Sequence, residues 1–152
     1  MQQCPYCEIV NNGLFCHTIW EDEEFLAFLS SFPNTEGFSL LITKTHYPSY
    51  IFNQQDEFLF KFMLAAKKVA KLLDSKLDNV GRTGIIFEPA GIDHAHLKLI
   101  PMHGTSCIDK INPPTGYSEK YFKKYEGYLS SHESLREDDN KLEKLAKKII
   151  EF

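Results

Sequence analysis

The sequence predicts an α+β fold: a mainly antiparallel sheet with one central helix, followed by a C-terminal tail helix. Three observations lead there. Short apolar runs bounded by turn residues recur through the first hundred residues, one long helical period sits among them, and a charged amphipathic stretch closes the chain. At 152 residues there is room for one domain with a real core, expected to span 1–152 with its centre at about 4–103 and an extension at about 104–152.

Each element follows from local pattern. Asn11–Asn12–Gly13 is a turn signal. Residues 16–21 and 25–29 read as two strands joined at the acidic Asp22–Glu23–Glu24, a hairpin. A loop holding Pro33, Asn34 and Gly37 leads to an apolar run at 38–43, expected to be a buried strand. Asn53 is placed to cap a helix, with Asp56 in the first turn where the helix dipole favours negative charge. Leu59, Phe62, Met63, Ala66, Val69, Ala70 and Leu73 then recur at helical spacing and form a core-facing stripe. Residues 84–88 read as a strand broken by Pro89–Ala90–Gly91, and 94–100 as the next, ended by Pro101. The last third holds Pro113–Pro114 and an aromatic stretch of Tyr117, Tyr121, Phe122, Tyr125 and Tyr128. A helix from about Asp138 follows, with Leu142, Leu145, Ala146, Ile149 and Ile150 on one side, packing on the same domain or on a second subunit.

Composition narrows the classes of function. A net charge of −4 lacks the basic face that a non-specific grip on nucleic acid requires, while leaving room for a small anion in a local positive pocket. The first residues carry no basic region followed by an apolar stretch, and no apolar run approaches the roughly 20 residues that span a bilayer. The expectation is a cytoplasmic protein without membrane or nucleic-acid partners. Cys4, Cys7, Cys16 and Cys107 are then thiols or metal ligands rather than disulfides.

The chemically informative segment runs from Asp93 to His103. In a strand, alternate side chains face opposite ways, so His94, His96 and Lys98 share one face and Ala95, Leu97 and Leu99 the other. Two imidazoles and an ammonium in a row are costly unless they meet an anion or a metal. That arrangement suits phosphate chemistry: an imidazole attacks phosphorus and later leaves, and flanking cations stabilise the charge that develops. Pro101 places His103 close enough to assist.

His94–Ala95–His96–Leu97–Lys98–Leu99–Ile100–Pro101 resembles the motif of the histidine-triad superfamily of nucleotide hydrolases and transferases, with Lys98 in place of the third histidine. Trp20–Glu21–Asp22 with Phe25–Leu26–Ala27–Phe28 is similar to that family's first hairpin, and 37–46 to its strand ending in Pro–Lys–x–His. The Cys4–Cys7 pair resembles the start of zinc-binding members, so the similarity covers about residues 4–103.

The resemblance implies attack by His96 on the α-phosphate of a nucleoside phosphate, phosphoramidate or dinucleoside polyphosphate, with a nucleotidyl-histidine resolved by water or another acceptor. Lys98 would contact the phosphate or leaving group; it supplies charge but cannot relay a proton as imidazole does near neutral pH. Ser30 stands where the family has an acid on the ribose, and Phe38 where it has a histidine. Gly91–Ile92–Asp93 shortens the loop before the triad. Phe25 and Phe28 are expected to border the base, with Ser30 and His103 also on the substrate side.

Cys4 and Cys7 have the gap that lets two thiolates bind one zinc ion. By the resemblance His46 and His94 complete a structural Cys2His2 site, with Cys16 and His17 as competing ligands. The family also implies a homodimer, as do exposed sheet edges. Two rival functions stay open: a nucleotide-binding module that has lost catalysis, and a structural zinc protein acting through its aromatic tail.

Overall fold

The computed structural model describes residues 4–106, 118–131 and 135–150. Cys107, Pro113, Pro114 and Tyr117 of the sequence reading lie outside the described residues, as do the side chains of Ala146 and Ile150. The chain divides into two compact units, 1–112 and 113–152.

The first unit holds α1 (Pro5–Val10), β1 (His17–Glu21), β2 (Phe25–Leu29), β3 (Ser39–Thr43), a 3-10 turn (Ile51–Asn53), α2 (Asp56–Lys76), β4 (Val80–Ile86) and β5 (His96–His103). The five strands form one sheet in the order β1-β2-β3-β5-β4, and every pair is antiparallel. The α+β reading therefore holds. The acidic hairpin also forms as expected, because Asp22 Oδ1 accepts from the backbone N–H of Glu24 and Phe25 and turns the chain.

Several boundaries differ. Asn53 belongs to the 3-10 turn, and α2 starts at Asp56 after Gln55, with no side chain capping it. The third strand begins at Ser39 rather than 38, and the strand expected at 84–88 is Val80–Ile86. β5 starts at His96 instead of 94 and runs through Pro101 to His103. Proline is tolerated there because β3 pairs with β5 only over His96–Leu99, so Pro101 has one strand neighbour instead of two. α1 escaped the sequence reading, although Pro5 in its first turn is a favoured helix start.

The sheet separates two apolar layers. α2 covers one face: Phe62, Ala65, Ala66, Val69 and Leu73 pack against Phe25, Ala27, Leu41, Ala95, Leu97 and Leu99. Met63 of the expected stripe is instead half exposed, and Ala65 takes its place. On the other face α1 lays Tyr6 over Leu26, Phe28 and Ile42. Which side chain meets which layer is set by the two-residue period of the strands.

The second unit contains α3 (Asp139–Ile150), whose first turn is capped by the Asp138 carboxylate accepting from Asn140 and Lys141 N–H. Leu142, Leu145 and Ile149 on its apolar side are exposed. Ahead of α3, Lys120 reaches Glu126 and the Tyr128 hydroxyl and lies over the Phe122 and Tyr128 rings.

Leu97 is fully buried under α2, and its truncation leaves a cavity that rigid neighbours cannot refill. Leu97→Ala should cost about 2–5 kcal/mol in chemical denaturation. Phe32→Ala, at an exposed loop position, should stay within about 0.5 kcal/mol. Equal losses for the two would contradict the layering.

Candidate functional site

The segment ahead of β5 is fixed by hydrogen bonds to the segment that follows β3. Asp93 Oδ1 accepts from the backbone N–H and hydroxyl of Ser49, and Ala95 N–H donates to the Tyr47 carbonyl at 2.7 Å. These bonds bring His94 beside His46 across 48 residues of chain, ring centroids 5.1 Å apart. Cys4 and Cys7, at the start of α1, meet the two rings from the other side.

Cys4 Sγ lies 3.4 Å from His94 Nδ1, and Cys7 Sγ lies 3.5 Å from the same nitrogen and 3.4 Å from His46 Nδ1. One donor atom from each of the four residues falls within 4.8 Å of every other, a cluster able to hold a metal ion. Cys16, the sequence competitor, is instead beside the Thr18 hydroxyl. Burial, then the neighbouring Cys4 thiol, pushes the Cys7 thiol up, so a metal binding here must displace protons.

His94 is fully buried, and its Nε2 lies 2.8 Å from the Thr43 carbonyl oxygen. A carbonyl can only accept, so that nitrogen carries the proton and Nδ1 presents its lone pair to the thiols. His96 is arranged the opposite way. Its Nδ1 donates to the His94 carbonyl at 2.7 Å, which leaves the lone pair on Nε2. Burial holds both imidazoles below the ordinary histidine range; for His96 the Lys98 charge works in the same direction, against its bond to the His94 carbonyl.

The expected alternation holds: Ala95, Leu97 and Leu99 share the core under α2, and Tyr6 meets both His94 and His96 on the other side. His94, just ahead of β5, turns into the thiol cluster, while His96 and Lys98 pair with Ile42 and Leu40 of β3. The pocket above His96 is not open. His96 is 5% exposed, with the Tyr6 ring 5.3 Å away, and Tyr6 also meets His94 at 5.6 Å. Lys98 is paired with Glu88, a buried carboxylate on the segment after β4. Sequence reading passed over Glu88 as the last residue of a strand; its burial has no signature in the pattern. Tyr6 and Thr43 likewise carried no signal.

The proposed substrate contacts separate. Phe25 stacks on Phe62 at 5.3 Å in the layer under α2, on the face opposite His96, so it is core. Phe28 lies on the His96 side beside Tyr6. His103 ends β5 seven positions beyond His96 and donates to the Glu36 carbonyl at 3.0 Å, which takes it out of the site. The Ser30 hydroxyl accepts from Phe32 N–H within its own loop. A cavity of about 620 Å³ opens beside the α1 layer, lined by Ile9, Leu14, Phe15 and Leu26, with the Lys44–Glu21 pair among its polar lining. Among the described residues no helix is long and apolar enough to cross a membrane.

Comparison with known proteins agrees with this architecture. The family model of the HIT domain matches residues 14–105. The chain is 33% identical over 107 residues to an uncharacterized HIT-like protein of Mycoplasma genitalium, across 67% of this chain and 74% of that one. It is 32% identical over 98 residues to an adenosine 5'-monophosphoramidase of Saccharomyces cerevisiae, across 64% of this chain and 61% of the enzyme. Its fold is similar to that of a zinc-bound histidine triad family protein from Mycobacterium smegmatis, with a TM-score of 0.62 at 24% identity over 69% of this chain and 78% of that one. With its HIT domain and its five-stranded antiparallel sheet carrying a central helix, the chain belongs to the histidine-triad (HIT) superfamily.

Proposed function

We propose that the chain is a nucleotide hydrolase or nucleotidyltransferase that attacks the α-phosphate of a nucleoside phosphate, phosphoramidate or dinucleoside polyphosphate through His96. The observation that carries this reading is the bond from His96 Nδ1 to the His94 carbonyl, which leaves the lone pair on Nε2 of a ring that feels the Lys98 charge. Nε2 forms a bond to phosphorus as the bond to the leaving group breaks, its electron pair departing with that group. Water or another acceptor then attacks phosphorus, the P–N bond breaks, the lone pair returns to Nε2, and the acceptor's proton passes to solvent. Lys98 stabilises the negative charge that develops on the leaving group. The yeast relative named as an adenosine 5'-monophosphoramidase supports a nucleotide substrate.

Zinc is the metal that the four donors suit. Typical Zn–S and Zn–N bonds at a tetrahedral angle put sulfur and nitrogen about 3.6 Å apart, close to the 3.4–3.5 Å separations here. Cys4, Cys7, His46 and His94 would hold it, and with four protein ligands it would supply cohesion rather than a bound water. Because Tyr6 sits between the two cysteines, such a clamp also fixes the ring that covers His96. A homodimer is proposed on the exposed Phe60, Met63 and Leu64 of α2 and the outer strands β1 and β4.

The closeness of Tyr6 to His96 favours one rival reading, a pocket that binds nucleotide without turning it over. Rapid quenching into denaturant with α-³²P-labelled nucleotide separates the two. A labelled protein that disappears in His96→Ala, with turnover down by roughly a thousandfold or more, supports the nucleophile. Binding that persists in wild type and variant alike, with neither turnover nor label, supports the rival. Elemental analysis should find about one zinc per chain. Cys4→Ser with Cys7→Ser should remove it and lower Tm, and Cys16→Ser should retain it. Zinc that survives loss of both Cys4 and Cys7 would contradict the ligand set.

A further inference from the structure

Lys98 is the chain's own departure at the reacting face, and Glu88 makes it a fixed feature. The buried Glu88 carboxylate holds the ammonium, and the charges of both residues act on His96. The leaving group on phosphorus faces away from an attacking nitrogen. The next position on the same strand face, roughly 7 Å beyond His96, is Lys98. An ammonium there offers a permanent charge, and as an acid in water it is weaker than an imidazolium by about four pH units.

Leaving groups respond differently to those two properties. When a P–O bond to a phosphate or pyrophosphate breaks, the electron pair stays on oxygen as a stable anion. A cation beside it stabilises that anion directly, and no proton has to move in the same step. When a P–N bond to an amine breaks, the nitrogen must gain a proton as it leaves, because an amide anion is too basic to depart. That step needs a general acid matched to neutral pH, which is an imidazolium's property rather than an ammonium's.

We infer that the Glu88–Lys98 pair selects substrates that release a phosphate anion, nucleoside or dinucleoside polyphosphates, over phosphoramidates that release an amine. The inference rests on His96 being the nucleophile. Lys98 touches the leaving group, and Glu88 is a positioning residue acting through it. This preference is the reverse of the activity for which the yeast relative is named.

The test measures kcat/KM for diadenosine tetraphosphate and adenosine 5'-phosphoramidate in parallel, on the full chain and on Lys98→His and Lys98→Met. Wild type should favour the tetraphosphate by roughly tenfold or more. Lys98→His should move the ratio toward the phosphoramidate by a similar factor, and Lys98→Met should lose tetraphosphate turnover more than phosphoramidate turnover. A wild type that prefers the phosphoramidate, or one ratio shared by all three proteins, overturns the inference while leaving His96 in place. No turnover of either substrate together with no labelled protein after rapid quenching removes the nucleophile, and the preference with it. Circular dichroism and bound zinc in each variant keep a folding defect from being read as a change of preference.

Discussion

Two backbone carbonyls decide what the two histidines are for. Thr43 takes the Nε2 proton of His94 and His94 takes the Nδ1 proton of His96, so neighbouring rings present opposite nitrogens. One lone pair points to the thiols, and the other is left on the ring that shares its strand face with Lys98. Side chains of one type, two residues apart, thus gain separate chemistry from hydrogen bonds to the main chain. The arrangement depends on β5 keeping its register. Leu97 and Leu99 are fully buried under α2, and a slip of one residue would send them to the polar face and His96 into the core.

Much of this was legible in the sequence because it follows from short periods. The hairpin at 22–24, the α2 stripe and the alternation of Leu97 and Leu99 with His96 and Lys98 are local patterns with local causes. The four donors that converge, from Cys4, Cys7, His46 and His94, are the residues the family resemblance implied. What was not legible depends on contacts distant in sequence. Glu88 looks like any acid at a strand end until folding buries it against Lys98. Tyr6 reads as a spacer between two cysteines until α1 lays its ring on His96. Phe25 and Phe28 are three residues apart in one strand, and odd spacing alone puts them in different layers.

Burying a charged pair is costly, and the energy recovered when its partners meet is seldom larger than that cost. The Glu88–Lys98 pair is therefore better understood as a device for position than as a source of stability. Lys98 lies on a face that would otherwise carry an unbalanced cation beside His96, and Glu88 neutralises it while fixing its direction. The thiol–imidazole cluster plays a comparable part at the other end of the strand. It ties α1 to the segments carrying His46 and His94, and through Tyr6 that tie reaches the His96 ring. Structural and chemical roles meet on two adjacent histidines.

The tautomers are directly observable. Long-range ¹⁵N–¹H correlation spectra of the histidine side chains, recorded near neutral pH with assignment by single substitution, report which ring nitrogen bears the proton. His96 should appear with its proton on Nδ1 and a pyridine-like Nε2, and His94 with the reverse. A His96 ring protonated on Nε2 has no lone pair to offer phosphorus and would contradict the assignment of its role.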